Sequence, residues 1–317
     1  MTVAIALAAY TALIAFGLPG LITRSKRLRA APRLSIATWL AGCGSAVAAA
    51  TLSGLQLAFP THTIGDELAA LVTACTDMLA GHPPPRTMRP VVVLAGLAVS
   101  GLAVIRLCYV MAAVLWTGWR DRRAHRAGLR LAGRVDARLG AVVVPHAEPG
   151  AYCVPGRRPT IVVTTGALGA LDRRQLAAVL AHERAHVRGR HHLLLTAALV
   201  AARAFPRLPL FREAGSAVPH LVELLADDVA ARRHDRRVIA SALVTLVRAT
   251  TPLTALGAGG ATAVARVMRL LSPAPPARSR SDTVVGLACL GGLLAGPAFA
   301  SLLPSLVTFL LSCPAFG

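Results

Sequence analysis

His182-Glu183-Arg184-Ala185-His186 is the stretch on which the reading of this chain turns. It lies in a run of good helix formers from Leu176 to Val187. Residues four apart share a helix face, so His182 and His186 point the same way. Two imidazoles at that spacing can hold one zinc ion, with Glu183 beside it as general base. The bland alternative is a surface helix with two spare histidines. Just upstream, Asp172 and Gln175 have the spacing of a capping box, which predicts a helix starting near 173 and ending near Gly189.

Outward from this helix the texture changes. Short strands are expected at Ala141 to Val144, at Tyr152-Cys153-Val154 and at Thr160 to Thr164. Residues 121–139 read as a basic helix. Residues 193–211 are apolar but carry Arg203, Arg207 and two prolines. They read as a helix lying against a bilayer, with a buried helix as the other choice. Amphipathic helices are expected at 218–233, 238–250 and 261–271.

The chain has 317 residues, of which 55% are apolar and 15% charged, with a mean hydropathy of +0.60. That composition indicates an integral membrane protein. Apolar stretches at 2–22, 34–59, 91–117 and 283–312 read as transmembrane helices. No basic segment precedes the first, which argues against a cleaved leader. The formal charge is +20, with Lys26 the single lysine. The arginines are dispersed through hydrophilic segments and beside apolar spans, without interleaved aromatics. The excess therefore reads as membrane orientation, and no direct contact with nucleic acid is expected. The basic segments at 24–33 and after 119 place both termini outside, with 118–282 cytoplasmic. Arg106, late in the third span, is expected to snorkel to the interface.

The expected plan is thus a mainly α membrane protein. Residues 1–119 form the membrane region, with an external loop at 60–89 that carries a short amphipathic helix from Asp66 to Leu79. Residues 120–271 form a cytoplasmic α+β domain with a small sheet, 272–282 a linker, and 283–312 the last span. The six cysteines include no C-x-x-C pair, so neither a zinc ribbon nor a disulfide framework is expected. Cys75 and Cys313 fall on the same external side, where a disulfide is an open alternative.

A catalytic zinc needs a third protein ligand. Downstream lies Glu223-Leu224-Leu225-Ala226-Asp227-Asp228, with Glu223 and Asp227 four apart and hence on one face. The order H-E-x-x-H, then E-x-x-x-D, resembles the gluzincin-type peptidases. The resemblance implies Glu223 as third ligand and Asp227 as the group that orients a ligand histidine. Asp228 is expected to be solvated. His191, His192, His220 and His234 lie off the gluzincin spacing. For an oxyanion-stabilising group, Arg232, His220 and Tyr152 are candidates by position alone.

A wider resemblance rests on three segments: Ala151-Tyr152-Cys153-Val154-Pro155-Gly156, Ile161-Val162-Val163-Thr164-Thr165-Gly166, and Leu176 through His186. Together they look like the core of the BlaR/MecR-type membrane metallopeptidases; HtpX-type and CAAX prenyl proteases share a related core. Three spans, a zinc domain and a fourth span is the BlaR/MecR layout in a bacterial cell membrane. The resemblance implies a zinc endopeptidase with one catalytic ion, which cleaves a cytoplasmic protein such as a BlaI-type repressor. It also implies that the strand with Tyr152 and Cys153 is an edge strand pairing with substrate backbone. Two departures stand out. No S-x-x-K acylation motif lies outside the membrane, and Arg188-Gly189-Arg190-His191-His192 occupies the place where relatives often carry an acidic residue. A quality-control protease of HtpX type is the alternative; that pattern places its zinc helix after two spans and adds hydrophobic segments within the domain. A membrane signalling scaffold that does not cleave is the second alternative. Homo-oligomer formation stays open.

Overall fold

The computed structural model describes residues 2–58, 89–250, 258–273 and 280–312. The expected loop helix from Asp66 to Leu79, Cys75, Cys313 and positions 274–279 of the linker lie outside them. The helices are α1 (Val3–Arg24), α2 (Lys26–Arg29), α3 (Pro32–Ala58), α4 (Arg89–Ala132), α5 (Thr165–Ala170), α6 (Arg173–Arg188), α7 (His191–Ala204), α8 (Pro209–Ala230), α9 (Arg236–Thr250), α10 (Ala258–Leu271) and α11 (Arg280–Ser312). A turn of π-helix, Leu13–Gly17, interrupts α1.

Among the described residues, four helices are long and apolar enough to cross a membrane: Val3–Arg24, Pro32–Leu57, Val91–Ala132 and Val284–Ser301. They coincide with the four expected spans. Small residues let them approach closely. A Cβ at Gly54 would collide with the Gly96 carbonyl of α4, and Ser100 Oγ donates to Thr51 O at 2.9 Å across the same crossing. Ser53 Oγ donates to Ala4 O at 2.8 Å, tying α3 to α1.

The third span does not stop at 117. It runs on as one helix of 44 residues, about 66 Å long, so the expected basic helix is its extension. That helix ends before 139. Gly133 breaks it, and β1 (Arg134–Asp136) follows, pairing antiparallel with β2 (Ala141–Val144). Then come β3 (Ala151–Val154) and β4 (Thr160–Thr164). The sheet order is β1-β2-β4-β3, with β2 and β4 parallel and β3 antiparallel at one edge. Val162 and Val163 of the central β4 are fully buried, as a strand covered on both faces requires.

Helix α6 packs on this sheet, with Leu180 among Ile161, Val163 and Ala167. Its start is the expected capping box. Asp172 Oδ1 accepts from the N–H groups of Arg174 (2.7 Å) and Gln175 (2.8 Å), while Gln175 Oε1 accepts from Asp172 N at 3.1 Å. The other face of α6 joins Ala230, Ile239 and Leu270 through Ala178.

Segment 193–211 is neither a span nor a lone surface helix. Helices α7 and α8 form a hairpin, and its apolar side packs on α3. Leu210, Phe211, Ala214 and Val218 share one core with Ile36, Trp39, Cys43 and Ala46. Cys43 and Ala46 lie 11 and 14 residues into α3, so the hairpin reaches roughly 15–20 Å along the span. Arg106 serves this hairpin instead of snorkelling freely. Its guanidinium donates to the carbonyls of Ala204 and Arg203, which end α7. A cation on a helix C-terminus satisfies carbonyls that would otherwise lack partners.

Candidate metal centre

Three helices build the centre. Helix α6 brings His182, Glu183 and His186, α8 brings Glu223 and Asp227, and α10 brings Arg266. His182 and Glu183 are both 9% exposed, and Asp227 is 1% exposed. The two Nε2 atoms lie 3.1 Å apart. Glu223 Oε2 lies 3.5 Å from His182 Nε2, and Glu223 Oε1 lies 3.5 Å from His186 Nε2. A tetrahedral zinc with bonds of about 2.0–2.1 Å holds neighbouring donors about 3.3 Å apart. The donor set His182, His186 and Glu223, two imidazoles and a carboxylate, therefore fits zinc in both spacing and chemistry.

Each imidazole is oriented from behind. His182 Nδ1 lies 2.9 Å from Asp227 Oδ1, the position expected for Asp227. Asp227 is in turn gripped by Arg266, whose Nε donates to Oδ2 and Nη2 to Oδ1, both at 2.8 Å. Arg266 Nη1 also reaches Glu223 Oε2 at 3.0 Å. Behind His186 stands His191, with the two Nδ1 atoms 3.0 Å apart and the rings edge to face. Helix α6 ends at Gly189, and Arg190 takes a left-handed conformation (φ 48°) before α7 begins. That reversal folds His191 back onto His186.

Electrostatics follow from this packing. Burial drives the Glu183 carboxyl up to about 7, and the nearby Glu223 adds to it while His182 opposes. Burial alone would raise Asp227 too, but the bonds from Arg266 and His182 hold it down at about 2. For His182, burial disfavours the charged ring, yet the contacts with Asp227 and Glu223 prevail and raise it to about 9. His186 moves the other way, lowered by burial and by its charged neighbour His182.

Sequence reasoning missed two of these residues. Arg266 sits on a helix expected from periodicity, but nothing local marks it as the partner of Asp227. His191 was set aside as off the ligand spacing; it supports a ligand instead. Asp228 is not simply solvated, since Arg269 Nη1 and Nη2 donate to its two oxygens at 2.6 and 2.9 Å. Of the oxyanion candidates, Arg232 borders a separate cavity, and the Tyr152 hydroxyl is 2.9 Å from His125 Nε2 on α4. His220 stands on α8 one turn before Glu223. Strand alternation puts Cys153 on the opposite face from Tyr152. There Cys153, His186, Arg157 and Arg190 line a cavity of about 620 Å³. A smaller one of about 200 Å³ has His182, Glu183, Glu223 and Ala151 in its wall.

A helix with two histidines facing one carboxylate, each ring braced from behind, is a donor arrangement that suits a single metal ion. Comparison with known proteins assigns the similarity to a family. Residues 118–216 match Peptidase family M48. That match contains His182, Glu183 and His186 and ends before Glu223. The chain is 42% identical over 87 residues to a protein named "Protease HtpX homolog" from Acidiphilium cryptum (strain JF-5), covering 26% of this chain and 28% of that protein. A protein of the same name from Salinibacter ruber (strain DSM 13855 / M31) is 38% identical over 86 residues, covering 26% and 31%. A third, from Gemmatimonas aurantiaca, is 35% identical over 94 residues, covering 29% and 31%. The chain thus spans less than a third of the length of these relatives. No solved structure matches.

Proposed function

We propose that this chain is a membrane zinc endopeptidase of the M48 kind, closer in role to the HtpX-type proteases than to the BlaR/MecR type. One observation carries the reading: His182, His186 and Glu223 converge on one point with Glu183 beside them. The chemistry that a zinc ion supplies there is Lewis acidity toward a carbonyl and a lowered pKa for water. Glu183 takes a proton from water and later gives one to the leaving amine. Among the described residues no strand pairs with the outer edge of β3, where a substrate backbone adds as a further strand. The hairpin α7–α8, packed on α3, is the kind of hydrophobic segment within the domain that the HtpX pattern has. Damaged membrane proteins are the substrate class of that reading.

A second reading keeps support from the order of spans. Three candidate spans precede α6 and one follows, which favours a regulatory peptidase with the domain in the cytoplasm and a repressor as substrate. The test is metal content and cleavage measured on the full chain in detergent. Wild type should hold one zinc per chain. Glu183→Ala should keep the zinc and lose cleavage of an unfolded membrane protein, and Glu223→Ala should lose both. Cleavage that survives in Glu183→Ala would sink the proposed base. Cleavage confined to a soluble repressor would favour the second reading.

A further inference from the structure

A cavity separate from the metal centre opens where the spans meet the sheet-bearing part of the chain. Its volume is about 380 Å³. Arg33, Arg188 and Arg232 stand on its rim, and Ile36, Leu40 and Val229 form part of its wall. The three arginines come from three elements: the second residue of α3, the last residue of α6 and the segment just after α8. All three side chains are exposed. Among the described residues none of the three guanidiniums has a hydrogen-bonding or ion-pair partner. Three unneutralised arginines lining one cavity call for an anion.

The walls say which kind. Ile36, Ala37 and Leu40 belong to α3 itself, one of the four helices fit to cross a membrane. Arg33 marks the end of that span, beside the basic run Arg24, Lys26, Arg27 and Arg29. The cavity therefore sits at the level where bilayer headgroups lie, lined by arginines and by apolar side chains of α3. A free phosphate would leave that wall unfilled. We propose that the cavity binds one anionic phospholipid, its phosphodiester held by Arg33, Arg188 and Arg232 and its acyl chain laid along α3. Guanidinium suits this task because its planar fork can bond phosphate oxygens in pairs. His191 lines the same cavity, so the lipid touches the residue that braces His186. The proposal rests on the membrane placement of α3 and does not require that the chain cleave anything.

The test uses the full chain, delipidated in a neutral detergent. Phosphatidylglycerol and phosphatidylcholine are titrated separately, with bound lipid counted by native mass spectrometry. Saturable binding of one phosphatidylglycerol, with at least ten-fold preference over phosphatidylcholine, is the expected result. The variant Arg188→Gln/Arg232→Gln should weaken it about 25-fold, roughly five-fold for each lost guanidinium. Arg188→Lys/Arg232→Lys should retain most of it. Removing two exposed charges elsewhere, with Arg173→Gln/Arg174→Gln, should leave it unchanged. Zinc stoichiometry on each variant confirms that it is folded. The proposal is overturned by equal binding of both lipids, or by equal weakening in the two glutamine variants. It also falls if inorganic phosphate displaces the lipid at an equal concentration, which would make this a site for soluble phosphates.

Discussion

Behind His182 stand a carboxylate and a guanidinium; behind His186 stands a second imidazole. The first arrangement is charged throughout: Asp227 touches His182 Nδ1, and Arg266 holds both oxygens of Asp227 while also reaching Glu223. The second is a contact between two rings, 3.0 Å from Nδ1 to Nδ1, in which one must donate and the other accept. Charge-assisted hydrogen bonds are roughly twice as strong as neutral ones. The difference teaches that two imidazoles facing one point need not be held equally. His182 is locked by long-range contacts with α8 and α10, whereas His186 is braced by its own chain, five residues on.

The comparison breaks most visibly at Arg266. Arg266→Ala leaves the Asp227 carboxylate buried without its main partner, and should lower stability by about 3–5 kcal/mol. A thermal unfolding midpoint in detergent reads this, and Arg266→Lys should recover only part, since lysine cannot bridge both oxygens. Next comes Asp227→Asn, which keeps the shape but removes the charge behind His182. Zinc affinity, measured by competition with a chelator, should fall about 10–100-fold. Removing the brace on the other side, with His191→Ala, should cost no more than about ten-fold. If the two losses prove equal, the asymmetry is geometric only and carries no energy. His191→Asp sharpens the contrast, because a carboxylate behind His186 should raise zinc affinity above wild type. The smallest effect concerns Cys153, on the edge strand beside His186. Burial first, and the negative charge of Glu183 second, push its thiol up to about 11. It should react slowly with iodoacetamide at pH 7–8 and faster as the pH rises toward that value, a trend followed by intact mass.

What could be read from the sequence was whatever local pattern dictates. The capping box at Asp172 and Gln175 fixed the start of α6, and hydrophobic length located all four candidate spans. Two strands, β2 and β4, were visible because β-branched residues cluster in them, and β3 because Pro155-Gly156 closes it. Strand β1 was not, because three residues, Arg134 to Asp136, are too few to carry a strand signal and take their conformation from β2. The convergence of His182, His186 and Glu223 was expected from spacing and resemblance. Arg266 did not, since an arginine 39 residues from its carboxylate leaves no periodic trace. Nor did the place of Arg106, whose partners are carbonyls that only the end of α7 exposes. The hairpin α7–α8 was ambiguous for a related reason: apolar composition says that a helix is covered, not by what.

The continuous helix α4 has a mechanical consequence. It passes from the membrane region to Ala132 without a break, and near its far end it grips the edge strand once and the turn after it once. His125 Nε2 meets the Tyr152 hydroxyl at 2.9 Å, and Arg126 Nη2 donates to Pro155 O at 3.0 Å. A rod of about 66 Å that tilts by about 5° around its midpoint carries each end through about 3 Å. That displacement is most of the 4.8 Å spacing between paired strands. Bilayer thickness, or the crossing angle of α4 with α3, would thus act as a lever on the strand where a substrate backbone would dock.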